Sequence, residues 1–291
     1  MKLQPRIEAA ISAATGREAH CKSHRMVTGG SINDSRIVAL EDGRDYFVKT
    51  HAQAGAYPGM FCAEYEALSL LLNTGTVRVP MPVTVDEDFI VLEVFSHGNR
   101  KPDWPELLGR QLALLHRQTS REQFGFNRDN YLGTTRQPNR WADDWLSFWR
   151  EQRLGWQLQL FAAKTDAGDP LLRLGDRLLT GLDHYLGGID EPAVLLHGDL
   201  WSGNAAADEI GDPIIFDPAS YYGQREAEIG MMRLFGGFGP RCEAAYAEVW
   251  PLQPGSEQRI ALYRLYHELN HLNLFGDSYY QSCISTMKAL A

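Results

Sequence analysis

Apolar residues near the start of the chain fall at Ile7, Ala10, Ile11 and Ala14, a helical spacing that predicts an amphipathic helix from residue 1 to about 20. The period then changes. His24-Arg-Met-Val27, Arg36-Ile-Val-Ala-Leu40 and Asp45-Tyr-Phe-Val-Lys49 read as strands. The last two are joined by Glu41-Asp42-Gly43-Arg44, and Asp-Gly between strand-like runs signals a hairpin. A helix follows over Gly59 to Asn73, then a strand over Phe89-Ile-Val-Leu-Glu-Val-Phe95. Beyond it the pattern is mainly helical. Trp104 to Thr119 carries Leu107, Leu108, Leu112, Leu115 and His116, the histidine reading as a packed or capped residue. Trp141 to Trp156 carries Trp141, Trp145 and Trp149 at steps of four, a spacing usual for core, with one indole lining an acceptor pocket as the lesser alternative. Ala193-Val-Leu-Leu196 and Pro213-Ile-Ile-Phe216 read as short buried strands that end in loops.

Those two strands deliver the candidate chemistry. His197-Gly-Asp-Leu-Trp-Ser-Gly-Asn204 follows the first, and Phe216-Asp-Pro-Ala219 closes the second, so adjacent strand ends can aim Asp199, Asn204 and Asp217 at one point. Phosphoryl transfer requires a carboxylate to accept the substrate hydroxyl proton, and a carbonyl and a second carboxylate to hold magnesium against the nucleotide phosphates. Either motif alone reads as a turn or a strand exit. Together, at this separation, they point to an ATP-dependent kinase, with Asp199 as base and Asn204 and Asp217 as magnesium ligands. Gly198 stands where protein kinases carry arginine, which suits a small-molecule kinase better.

The first third of the chain has the order of a kinase's smaller lobe. Gly29 and Gly30, followed by Ser31, lie in a loop between the first two strands, where backbone N–H groups can approach phosphate closely. Lys49 would reach the phosphates and Glu64 would hold its ammonium. Backbone groups from Glu93 to Phe95 would face adenine, the chain crossing between lobes at Val94 to Gly98. Singly, Gly-Gly is commonly a turn, a strand-end lysine a solvated edge residue, and Glu64 a surface carboxylate; their order relative to the later Asp-Asn-Asp set raises them. The predicted fold is therefore α+β and bilobal, protein-kinase-like. Residues 1–95 would form a small antiparallel-sheet lobe, and residues 96–291 a mainly helical lobe holding the catalytic loop, magnesium site and acceptor pocket. No GxxxxGK[ST] sequence occurs, which disfavours a P-loop enzyme.

Composition narrows the partners. At 291 residues the chain is long enough for two lobes. Lys+Arg 28 against Asp+Glu 37 gives a net charge of −9 with no basic run, which argues against wrapping on nucleic acid or anionic lipid. Cys21, Cys62, Cys242 and Cys283 form no CxxC pair, so neither a disulfide framework nor a zinc knuckle is expected. The charged, proline-bearing start is unlike a secretory signal, and no apolar run is long enough for a membrane span, so the expected setting is the cytoplasm. His267-Glu268-Leu269-Asn270-His271 is a literal HExxH, the helix signature of zinc hydrolases. The tail after it contains no further His or Glu, so these residues are expected to pack and hydrogen-bond in a terminal helix.

Leu196-His-Gly-Asp-Leu-Trp-Ser-Gly-Asn204, Ile215-Phe-Asp-Pro-Ala-Ser-Tyr-Tyr-Gly223 and Leu234-Phe-Gly-Gly-Phe238 resemble the fructosamine kinase (ketosamine-3-kinase) family. Phe124-Gly-Phe126, Asn139-Arg-Trp141, Asp144-Trp145 and Leu269-Asn-His271 support the resemblance over most of the chain. It implies transfer of the ATP γ-phosphoryl group to the 3-hydroxyl of a ketosamine, whether a free amine adduct or a glycated protein amine, which makes the adduct labile. It implies ATP and Mg2+ as cofactors and Trp201 as a platform for the sugar. It also puts Glu228 where related kinases brace the catalytic loop, a helix-surface carboxylate being the equal alternative. Some relatives carry a cysteine in the glycine-bearing loop; Ser31 here argues against redox switching at that position. A kinase for an aminoglycoside, choline or homoserine, and a non-catalytic nucleotide-binding protein of the same fold, remain the alternatives. The sugar preference and oligomeric state stay open.

Overall fold

The computed structural model describes residues 3–27, 34–51 and 55–290. The expected phosphate-covering residues Gly29, Gly30 and Ser31 lie outside the described residues.

Helix α1 (Leu3–Thr15) buries Ile7 and Ile11 and stops short of the expected residue 20, leaving Ala14 exposed. Strands β1 (Cys21–Val27), β2 (Asp34–Leu40) and β3 (Asp45–Thr50) precede helix α2 (Met60–Thr74), and β4 (Pro82–Val85) and β5 (Phe89–Glu93) follow it. Among the described residues these strands form one antiparallel sheet in the order β1-β2-β3-β5-β4. The hairpin at Asp42-Gly43 is present, with Leu40 N–H bonded to Arg44 C=O at 2.8 Å. Edge strand β4 is absent from the sequence reading; it is four residues long and opens on proline, which weakens a strand signal.

The sheet is covered on both faces, and side-chain alternation assigns each residue to one of them. Val38, Leu40, Val48, Phe89 and Val91 pack with Ile7 and Ile11 of α1. Ile90 and Leu92 face the other way, into the cluster containing Phe61, Leu68 and Leu71 of α2. That two-sided burial explains why Phe89 to Leu92 is apolar throughout. It also turns Lys49, the residue after Val48, towards α2.

The remainder is largely helical. Helix α3 (Trp104–Gln118) precedes the β6–β7 hairpin (Asn130–Leu132 and Thr135–Gln137). The expected single helix over Trp141 to Trp156 is divided. Helix α4 (Trp145–Trp149) begins after Asp144, whose carboxylate caps it by accepting the Ser147 N–H at 2.7 Å. A π-helical turn at Arg150–Leu154 separates α4 from α5 (Gly155–Ala162). The wider turn brings Gln152, Arg153, Leu154 and Gly155 inward together, all four buried. Trp145 and Trp149 are core as expected, whereas Trp141 lies before the helix and is 36% exposed.

Helices α6 (Pro170–Thr180) and α7 (Leu182–Leu186) lead to strands β8 (Val194–Leu196), β9 (Ala205–Ala207), β10 (Pro213–Ile215) and β11 (Tyr221–Gly223), and helices α8 (Glu226–Leu234), α9 (Pro240–Val249), α10 (Ser256–Phe275) and α11 (Tyr280–Leu290) complete the chain. The two strands expected to be neighbours are not paired to each other: β8 pairs with β11, and β10 with β9. What joins their ends is loop bonding, from Ala219 N–H to His197 C=O at 2.9 Å and from Phe216 N–H to Asn204 C=O at 3.0 Å. Among the described residues no helix is long and apolar enough to cross a membrane.

Candidate active site

Strand β8 is buried at every position and delivers His197 into a turn that backbone sterics define closely. Gly198 has φ +83°, and a Cβ there would lie 2.2 Å from the Ala219 carbonyl oxygen. The buried His197 ring bridges the two loops: Nε2 donates to Phe216 C=O at 2.9 Å, and Nδ1 accepts the Asp199 N–H at 3.3 Å. Burial pushes its pKa down, which keeps the ring neutral and suits this donor–acceptor assignment. Beneath the turn, the Glu228 carboxylate of α8 accepts the His197 N–H at 2.5 Å and the Gly198 N–H at 3.1 Å. Glu228 is 1% exposed and is a brace of this loop, not a helix-surface carboxylate.

Asp199, Asn204 and Asp217 converge. The Asn204 amide nitrogen donates to the Asp199 carbonyl at 2.8 Å and to its carboxylate at 3.1 Å, which leaves the Asn204 amide oxygen as a free acceptor direction. Burial, reinforced by the Asp217 charge, holds the Asp199 carboxyl well above the usual carboxylate range, while its bond from Asn204 opposes the shift. Asp217 has φ +59°, the left-handed region in which non-glycine residues are strained by about 1–3 kcal/mol. Its side chain is 45% exposed towards the cleft.

From the sheet side, Lys49 Nζ donates to Glu64 Oε1 and to Asp217 Oδ1, both at 2.5 Å. Burial alone would lower the lysine pKa, but the charges of Asp217 and Glu64 outweigh it and raise it, so the ammonium stays protonated. Sheet, α2 and the two loops thus meet through one cation and two carboxylates. Arg78, between α2 and β4, adds a second tie across the cleft edge: it donates to Asp208 and Glu209 at 2.8 Å each and to Glu93 at 3.0 Å.

At the expected adenine edge, the Glu93 N–H is bonded to Met81 C=O at 2.9 Å and its carboxylate is held by Arg78 and the Met81 N–H. Phe95 packs between His97 and Phe216, the residue before Asp217, with ring centroids 5.0 and 5.8 Å apart. The chain then meets β9 closely: Gly98 N–H bonds Ala207 C=O at 3.0 Å, and a Cβ on Gly98 would lie 2.1 Å from the Asp208 carbonyl oxygen.

On the other side of the catalytic turn, the Trp201 indole folds back over Gly203 and packs on Phe235 at 5.3 Å. Phe235 touches His271 at 5.2 Å, and His271 touches Phe275 at 5.6 Å and Tyr279 at 5.1 Å. In the sequence Phe235 stands out only as part of a family-like stretch, and His271 as a packing residue of a terminal helix; neither is marked as a neighbour of Trp201. Their placement depends on α8 and α10 packing together, which no local pattern encodes. Within the HExxH stretch His267 is buried with its pKa pushed down to about 3, and His271 Nδ1 donates to the His267 carbonyl at 2.8 Å, the packing and hydrogen bonding of a helix interior. Among the described residues no group of three His, Cys, Asp or Glu side chains could hold a metal.

A sheet lysine paired to a helix glutamate, set against an Asp-Asn-Asp loop constellation, defines the protein-kinase-like class of phosphotransferase fold. The same fold is seen in a choline kinase of Streptococcus pneumoniae at TM-score 0.67 and 14% identity, covering 99% of each chain. Residues 3–291 match the fructosamine kinase family model, and the chain belongs to that family. It is 40% identical over 286 residues to a candidate ketoamine kinase of Synechocystis, covering 96% of this chain and 93% of the relative. It is 41% identical over 267 residues to a chloroplastic protein-ribulosamine 3-kinase of Oryza sativa, covering 89% of this chain and 76% of the relative. The crystal structure of a candidate fructosamine-3-kinase from Thermobifida fusca superposes at TM-score 0.87 and 32% identity, over 98% of both chains.

Proposed function

We propose that the protein is an ATP-dependent ketosamine kinase, transferring the γ-phosphoryl group to the 3-hydroxyl of a fructosamine or ribulosamine, free or carried on a protein amine, in the cytoplasm. The observation that carries this reading is the bonding of Lys49 to both Glu64 and Asp217 beside the Asp199–Asn204 pair, in a chain of the fructosamine kinase family. The relatives named as ketoamine and ribulosamine kinases support the acceptor class.

In this reading Asp199 takes the acceptor proton as the new P–O bond forms. Asn204 orients that carboxylate through its amide nitrogen and turns its oxygen to the phosphates. Asn204 and Asp217 supply only oxygen donors, which suits Mg2+, an ion that takes one or two carboxylates and completes its shell with phosphate and water. When bound, magnesium would offset charge on the β- and γ-phosphates. Lys49, freed from Asp217 as nucleotide enters, would hold the phosphates while Glu64 keeps its ammonium in place. Gly29, Gly30 and Ser31 are assigned to the phosphate cover, the backbone of Glu93 to Phe95 to the adenine edge, and the lobe division to residues 95 and 96. Trp201, with Phe235 and His271 beside it, is assigned as the wall against which the sugar lies, an aromatic face suiting the apolar side of a sugar ring and the ammonium of a ketosamine.

The test is ADP release with Mg·ATP and a panel of acceptors: synthetic fructosamine and ribulosamine, an aminoglycoside, choline and homoserine. ADP should appear with the ketosamines and the phosphate ester should sit at carbon three. Release that is independent of acceptor, or confined to another acceptor, overturns the proposal.

A further inference from the structure

Helix α2 carries a second glutamate, and it faces away from the cleft. Two residues of α-helix turn the side chain by roughly 200°, so while Glu64 meets Lys49, Glu66 reaches the loop that precedes β6. There Asn127 Nδ2 donates to Glu66 Oε1 at 2.5 Å and Arg128 Nε donates to Glu66 Oε2 at 2.8 Å. The entry to α2 is held by β6, the strand this loop enters: Tyr131 OH donates to Pro58 C=O at 3.2 Å, and the Tyr57 and Tyr131 rings meet at 5.6 Å.

The β6–β7 hairpin that this loop enters is also tied to the backbone just after Asp217. Asn130 Nδ2 donates to Ser220 C=O at 2.8 Å, and Gln137 Nε2 donates to Ala219 C=O at 3.1 Å and to Asn130 Oδ1 at 2.7 Å. Asn139 Nδ2 completes the hub, donating to Asn130 Oδ1 at 2.9 Å and Arg128 C=O at 3.2 Å. Asn130, Gln137 and Asn139 are all buried, so this hub is rigid, and each amide bond in it is costly to leave unmade.

The helix that supplies Glu64 and the loop that supplies Asp217 are therefore fastened from behind to a single segment. We propose that Glu66, through Asn127 and Arg128, is a positioning residue that sets the spacing of Glu64 and Asp217 about Lys49, and hence the affinity of the site for nucleotide phosphates. The inference rests on the kinase reading of Lys49. It goes beyond that reading because Glu66 touches neither nucleotide nor acceptor. An isolated surface ion pair would do little, and Arg128 is 47% exposed. Here one carboxylate takes two donors at once, and the elements it joins end at the same ammonium.

The experiment titrates full-length protein with Mg·ADP by fluorescence and measures steady-state KM for ATP and for a synthetic fructosamine. The variants are Glu66→Ala, Arg128→Ala, the double variant, and the exchange Glu66→Arg with Arg128→Glu. A charge-assisted contact of this kind should translate into about a 3- to 10-fold loss of Mg·ADP affinity and rise in KM for ATP in each single variant. The acceptor KM and the denaturation midpoint should stay at parental values, the double variant should be no worse than either single one, and the exchange should recover much of the loss. Parental nucleotide affinity in both single variants, or additive losses in the double, overturns the inference while leaving the kinase reading intact. Failure of the parent protein itself to bind Mg·ADP overturns both.

Discussion

Glu228 offers a quantitative test of how the catalytic turn is held. Its carboxylate, 1% exposed, accepts two backbone N–H groups, from His197 at 2.5 Å and from Gly198 at 3.1 Å. Glutamine has the same shape but one acceptor oxygen, so Glu228→Gln leaves one buried N–H facing an amide NH2 group. The lost bond is charge-assisted, and leaving its donor unpaired costs about 1.5–3 kcal/mol. At roughly 2–4 °C per kcal/mol for a chain of this size class, the thermal midpoint should fall by about 3–12 °C. Activity should fall as well, because the disturbed N–H groups immediately precede Asp199, and a misplacement of about 1 Å at a reacting group can cost roughly 100-fold. Urea denaturation, with Cm and m fitted separately, measures the first effect, and ADP release at saturating substrates measures the second. A Glu228→Gln protein within about 0.5 kcal/mol of the parent and with parental kcat would show that the two N–H bonds do not organise the turn.

Gly198→Ala should prevent correct folding of the same turn or abolish activity, since the new methyl would sit 2.2 Å from the Ala219 carbonyl oxygen at φ +83°; soluble, active protein would contradict the close approach. Lys49→Met should lower kcat/KM by about 100-fold or more and also destabilise the fold, because Glu64 is left buried without its cation. Adding Glu64→Gln should recover stability but not activity, and recovery of neither would show that the pair is not the source of the loss. His267 is buried and its pKa is pushed down to about 3, mainly by burial, with the neighbouring His271 and Arg153 adding to it. The unfolded chain therefore binds a proton at this residue that the folded chain refuses, so stability is full above the unfolded value of about 6.5 and declines as pH falls from there towards 3. His267→Leu should flatten that decline in urea titrations between about pH 6.5 and pH 4, and an unchanged slope would contradict the assignment.

Legibility in the sequence follows how local the determining physics is. The hairpin at Asp42-Gly43, the two-sided strand at Phe89 to Leu92 and the HGD and FDP turns rest on side-chain period and on backbone conformations that few residues tolerate, so they could be read directly. Lys49 could be paired with Glu64 because their order, strand then helix ahead of the Asp-Asn-Asp set, is that of a kinase's smaller lobe. The division of the Trp141 to Trp156 segment was hidden because its cause is the turning of Gln152 and Arg153 into a polar interior: Arg153 donates to Pro138 C=O and Asn139 Oδ1 at 2.6 and 2.7 Å. The brace at Glu228 and the role of Trp201 were expected only through the family resemblance, while the amide hub of Asn130, Gln137 and Asn139 and the packing of Phe235 and His271 beside Trp201 depend on contacts between segments remote in the chain. Nothing in the spacing of an asparagine or a phenylalanine reveals which carbonyl or ring it will meet.

The central claim is that Asp199 removes the acceptor proton in a cleft where Lys49, Glu64, Asn204 and Asp217 hold a nucleotide. Single-turnover transfer from Mg·ATP to synthetic fructosamine by the Asp199→Asn protein tests it most directly, with Mg·ADP affinity measured on the same sample. The account predicts transfer slowed by about 100- to 10,000-fold at near-parental nucleotide affinity. Transfer at close to the parental rate would contradict it.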